Sequence, residues 1–76
     1  MNPRHRSLKA GVIALEQDSL VDCRIWDFSP AGVGLFVTAA VKLPPEFDLT
    51  FDHATRHCVT VWREFNRIGL KYKSMH

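Results

Sequence analysis

From Leu8 onward the chain carries six short runs of β-forming residues separated by turn signals, and nowhere does an apolar period of 3.6 persist over ten or more positions. An all-β fold follows. The run Leu20 to Phe28 alternates Val21, Cys23 and Ile25 with Asp22, Arg24 and Trp26, and Phe47 to Asp52 alternates Phe47, Leu49 and Phe51 with Asp48, Thr50 and Asp52. Successive side chains of a strand point to opposite faces, so each run offers one face to a core and one to water. The other runs are Leu8 to Glu16, Val33 to Ala39, His57 to Phe65 and Ile68 to Lys73. A chain of 76 residues makes a single small domain, one that buries only about 60 to 65% of the surface exposed by its unfolded chain. Closure is the way so short a chain can bury six strands and remove their exposed edges. The sequence therefore predicts a small six-stranded antiparallel β-barrel over residues 8–76, preceded by a flexible basic arm over residues 1–7.

The connections are specified by turn residues. Glu16-Gln17-Asp18-Ser19 ends the first run, and Ser29-Pro30-Ala31-Gly32 joins the second and third as a hairpin, its proline fixing one φ and its glycine free to take φ > 0. Pro44-Pro45 withholds two amides from any ladder, so Ala40 to Glu46 reads as a loop or crossover. His53-Ala54-Thr55-Arg56 turns the chain into the fifth run, and Asn66-Arg67 connects it to the sixth. In so small a barrel Trp26, Trp62 and the five phenylalanines are expected mostly in the core, although a wet Trp26 beside the turn can stack on a base. Arg63, next to Trp62, is expected to point outward into solvent.

The net charge of +2 is too small to act as a polyanion-binding field, and its distribution matters more. Arg4, Arg6 and Lys9 give residues 1–15 a charge of +3 with no acid, which leaves −1 for the rest. That deficit argues against a single-strand nucleic-acid binder of the OB type, which needs a basic groove with exposed aromatics. No apolar run reaches the roughly 18 residues of a membrane span, and no secretory signal opens the chain, so a cytoplasmic protein without membrane contact is expected. Cys23 and Cys58 then read as buried free thiols. A zinc site from His53, His57, Cys58 and Cys23 is the alternative, and surface histidines with core cysteines explain the same residues, so no metal is expected. Ser29 has no histidine within local reach and no carboxylate pair stands at acid–base spacing, which leaves no catalytic residues and no enzyme.

One turn carries more than fold information. Asp27, Ser29 and Gly32 stand at offsets 0, 2 and 5, so that the acid and the hydroxyl share one side of a strand end and the glycine lets backbone approach a ligand closely. The basic arm before it can close over an anion. Together with Arg6-Ser7-Leu8-Lys9-Ala10-Gly11, Pro45-x-Phe47-x-Leu49, Val61-Trp62-Arg63 and Ile68-Gly69-Leu70, this turn resembles the short single-domain PilZ proteins along nearly the whole chain. PilZ domains are bacterial receptors for cyclic di-GMP, with the signature Arg-x-x-x-Arg followed at a distance by Asp/Asn-x-Ser-x-x-Gly. The second half is complete here, whereas Asn2 stands where the first arginine belongs and Arg4 lies two residues from Arg6.

The resemblance implies a non-enzymatic module, without cofactor, that binds cyclic di-GMP through Arg4, Arg6, Asp27, Ser29 and Gly32. Arginine offers a planar fork to phosphate or to the guanine O6/N7 edge, and Asp27 accepts from guanine N1 and N2. Ordering of the arm over the ligand would signal to an unidentified downstream protein. The family's usual C-terminal helix, which plugs one barrel mouth, is expected to be absent or reduced, since Lys73-Ser74-Met75-His76 leaves no room for it. That leaves the mouth open, or covered by a second copy in a homodimer. The alternative expectation is a degenerate PilZ domain that binds no nucleotide and acts as an interaction or dimerisation module.

Overall fold

The computed structural model describes residues 8–16, 19–38 and 41–73. Six strands, β1 (Lys9–Ala14), β2 (Leu20–Phe28), β3 (Gly32–Phe36), β4 (Glu46–Phe51), β5 (Ala54–Glu64) and β6 (Arg67–Tyr72), close into an antiparallel barrel in the order β1-β2-β3-β6-β5-β4. The expected all-β six-stranded barrel is what forms, and the described residues contain no α-helix. Val37 to Pro45 carries the chain from β3 across to β4, as the two prolines require, and Ala39, at the end of the third sequence run, lies outside the described residues.

Alternation builds the core. Ile13, Cys23, Ile25, Val33, Leu35, Phe47, Leu49, Phe51, Cys58, Ile68 and Leu70 project inward and are buried, joined by Val37 from the loop. Among the described residues no polar or charged side chain is buried, so closure leaves no polar group inside to be satisfied. Burial pushes both free thiols up to about 11, which keeps Cys23 and Cys58 protonated and unreactive near neutrality.

Two turns differ from their sequence reading. The β4–β5 loop is Asp52-His53 alone, at φ 53° and 62°, and Ala54, Thr55 and Arg56 already pair with Phe51, Thr50 and Leu49. A two-residue hairpin loop with both φ positive matches the twist of its strands, and Asp and His enter that region more readily than most residues. Asp52 also accepts the Lys9 ammonium at 2.8 Å, tying this turn to the start of β1. The β5–β6 loop is Phe65-Asn66, with Phe65 at φ 56°, because Arg67 is already paired with Glu64 and with Phe36. The Asn66 carbonyl accepts from the Val37 amide at 2.8 Å and holds this hairpin against the end of β3.

On the outer face of the β4–β5 ladder, His57 sits between two carboxylates: Nε2 is 2.8 Å from Glu46 Oε1 and Nδ1 is 2.8 Å from Asp48 Oδ1. Both nitrogens can donate at once only in the imidazolium form. Cys58, the next residue, faces the barrel interior, so the period of two separates the donors that a zinc site would have to unite. Among the described residues no group of three or more metal-ligating side chains is assembled.

This clamp predicts a pH profile. Glu46 first, then Asp48, raises the His57 pKa above its ordinary 6.5, so its contribution is complete below 6.5 and is lost as pH rises through the raised folded value. His57 and then Lys73 lower Glu46 from its ordinary 4.5, so that contribution holds above 4.5 and is lost as pH falls through the lowered value. The melting temperature is expected to be highest between about 4.5 and 6.5, and His57→Gln to remove the decline on the alkaline side. An alkaline decline that survives in the variant would assign it to another group.

Candidate functional site

Two β-bulges shape one outer face of the barrel. In β2 the register passes from Ile25↔Leu35 to Asp27↔Gly34, leaving Trp26 as the extra residue, and in β5 it passes from Thr60↔Leu70 to Trp62↔Gly69, leaving Val61 extra. A bulge shifts the inside–outside phase of its strand by one residue. Strict alternation from inward Ile25 would turn Asp27 into the core; the bulge turns both Trp26 and Asp27 outward.

Between the bulges Gly34 pairs with Gly69, and each tryptophan lies over the nearer glycine. A Cβ on Gly34 would come within 2.6 Å of Trp26 Cζ2, and one on Gly69 would run into the Trp62 pyrrole ring. The expectation of core tryptophans is therefore overturned: Trp26 is half-buried on the outside and Trp62 is 41% exposed. Of the phenylalanines only Phe47 and Phe51 are buried, while Phe28 and Phe65 are exposed. Trp26 packs against Phe36 and beneath the Arg67 guanidinium, 5.9 Å from the ring, and its indole N–H is buried without an acceptor. Arg63 points outward as expected, its Nε donating to the Phe65 carbonyl at 3.1 Å.

The Asp27 turn opens onto this face. The Ser29 amide donates to the Gly32 carbonyl at 2.8 Å, and the Ala31 and Gly32 amides donate to Ser29 Oγ at 3.2 and 3.3 Å. The hydroxyl oxygen thus serves its own turn, while its proton remains available to an outside acceptor. Asp27 is exposed, and its carboxylate has no partner among the described residues. Gly32 does not use the positive φ that is open to glycine. A Cβ there would run into the Leu70 carbonyl oxygen, so glycine is needed for the close approach of β6.

Asp27, Ser29 and Gly32 meet in a groove of about 320 Å³ with Trp26, Trp62 and Lys71, at the small end of the ~300–1,000 Å³ usual for ligand sites. Arg4 and Arg6 lie outside the described residues. Among the described residues Lys9 pairs with Ile25, two residues before Asp27, and its ammonium sits 5.4 Å from the Phe28 ring.

Sequence reasoning missed Trp62, Lys71, Gly34 and Gly69 as part of this face. Glycine at outward positions of two strands is the signal that could have found them, since a glycine inside a strand marks a bulge or a close approach. On the same barrel end, Phe28, Pro30, Phe51, Arg56 and Tyr72 border a second concavity of about 560 Å³, with the Arg56 guanidinium 4.8 Å from the Tyr72 ring. No helix among the described residues is long and apolar enough to cross a membrane. No protein-family model matches the chain, and no curated protein matches it.

Proposed function

We propose that this chain is a non-enzymatic receptor module of the PilZ type that binds cyclic di-GMP in the groove beside the Asp27 turn and signals through its N-terminal arm. The carrying observation is the outward Asp27 carboxylate, without a partner among the described residues, on the lip of an aromatic groove and on the strand that pairs with β1. An ionised carboxylate accepts from guanine N1 and N2, the Ser29 proton serves a phosphate or guanine acceptor, and Arg4 and Arg6 reach the remaining anionic and O6/N7 surfaces. Binding that orders the arm would change the surface offered to a downstream protein.

Calorimetric titration with cyclic di-GMP tests this reading. Saturable heat is expected from the parent, and Asp27→Ala should lose a charge-assisted hydrogen-bonding group, weakening binding about tenfold to a hundredfold. Arg6→Ala should weaken it comparably. Heat indifferent to both substitutions would exclude this groove.

The exposed Phe28 and the aromatic mouth formed with Phe51 and Tyr72 favour a second reading, a protein-interaction or dimerisation module that binds no nucleotide. Absence of heat at millimolar nucleotide, together with self-association lost in Phe28→Ser, would select it.

A further inference from the structure

The second concavity at this barrel end, about 560 Å³ and bordered by Phe28, Pro30, Phe51, Asp52, Arg56 and Tyr72, lies well within the ~300–1,000 Å³ usual for ligand sites. It is a mouth with an apolar floor. Phe51 is buried and meets the Phe28 ring at 5.8 Å edge to face, while Phe28 itself stays 52% exposed. Two cations stand over these aromatics, Lys9 at 5.4 Å from the Phe28 ring and Arg56 at 4.8 Å from the Tyr72 ring. Their charges are not equivalent. Lys9 is matched by Asp52 at 2.8 Å, whereas Arg56 has no acidic partner among the described residues.

A guanidinium that lies over a ring keeps N–H donors for a planar acceptor, in the fork geometry that suits a carboxylate. The Tyr72 hydroxyl makes no hydrogen bond among the described residues and adds a further donor; burial raises its pKa above the ordinary 10, so it stays protonated. The one carboxylate of the mouth, Asp52, is already engaged by Lys9. An occupant therefore needs an apolar body, acceptors and one negative charge, with no donor edge of its own to satisfy. Cyclic di-GMP, with two phosphates and donors at guanine N1 and N2, does not answer that description. A second copy docked mouth to mouth brings another unmatched Arg56 and no free acid. We infer that this mouth binds an amphipathic monocarboxylate, a small molecule whose apolar chain or ring lies on Phe28 and Phe51 and whose carboxylate is held by Arg56 and the Tyr72 hydroxyl.

Octanoate and 1-octanol share an apolar body and differ in charge, which makes them the probes. Titration followed by the amide chemical shifts of Phe28, Phe51 and Tyr72 is expected to show saturable movement with octanoate. The alcohol should bind about 10- to 100-fold more weakly, the range of a charge-assisted contact. Arg56→Gln should bring octanoate down to the level of the alcohol, and Phe28→Ala should weaken both alike. Each methylene added between hexanoate and octanoate should tighten binding about fourfold.

Equal affinity of the parent for octanoate and 1-octanol would overturn the inference, as would an Arg56→Gln protein that still prefers octanoate. Saturable shifts centred on Trp62 and Lys71, with the mouth amides still, would place the ligand elsewhere and overturn it too. So would the absence of any shift at millimolar octanoate. The comparison of acid with alcohol uses the parent protein, so it decides the matter even where Arg56→Gln fails to fold.

Discussion

Leu49→Ala is expected to cost about 2–5 kcal/mol of folding stability, the range for truncating a fully enclosed leucine. Leu49 is 0% exposed and lies at the centre of β4, paired on one side with Ile13 and on the other with Arg56. The barrel has one layer of inward side chains and nothing behind it to collapse into the space left by the lost atoms. Against a total of about 4–11 kcal/mol for a chain of this size, the loss takes a large share. Urea denaturation should show a lower midpoint at unchanged slope, since the surface exposed on unfolding hardly changes. A loss below about 1 kcal/mol would be the cost of an ordinary surface site and would contradict a closed core.

Gly32→Val should destabilise the fold by about 1–3 kcal/mol through forced overpacking, lowering the melting temperature by roughly 5 to 20 °C in a domain of this length. The obstacle is backbone: the new Cβ would meet the Leu70 carbonyl oxygen and stand 3.2 Å from Lys71 Cα, so no side-chain rotation relieves it. Strand β3 must separate from β6 where Gly32 pairs with Lys71. Because the same displacement shifts the Ser29 turn, the cyclic di-GMP binding proposed above should fall in parallel with melting temperature. Under the proposed function Asp27→Ala should weaken binding with little change in melting, since that carboxylate holds no contact among the described residues. A Gly32→Val protein that melts with the parent would refute the packing role.

The strand pattern was legible where period-two alternation survives, in β4 and in β2 before its bulge. Val21, Cys23 and Ile25 marked β2 within its observed bounds, and Phe47, Leu49 and Phe51 marked β4 to within one residue. The hairpin loops were less legible. Asp52-His53 and Phe65-Asn66 have positive φ at residues that are not glycine, so composition put both turns too late in the chain. The bulges left no mark at all, because an extra residue is defined only against the strand it pairs with. Trp62 was consequently expected inside, when the phase shift at Val61 places it outside; Trp26, outward by alternation alone, was expected inside only because the barrel is small. The Asp27, Ser29 and Gly32 triplet was legible as chemistry, yet two of its members also have local structural tasks, Ser29 with its turn amides and Gly32 against Leu70. Sequence spacing cannot separate those tasks from ligand contact.

Closure of the cylinder depends on β1 meeting β4, and there only Val12–Thr50, Ile13–Leu49 and Ala14–Asp48 are matched, fewer rungs than along any other junction. The first half of β1, Lys9 to Gly11, has ladder partners in β2 alone, and the Lys9–Asp52 ion pair ties it to the end of β4. This is the staves' weakest joint, and it is made by the very segment that continues into the N-terminal residues. A pull or a torque delivered there would be felt first as gaping between the first and fourth staves, giving the molecule a mechanical route from its leading end to its interior that needs no hinge.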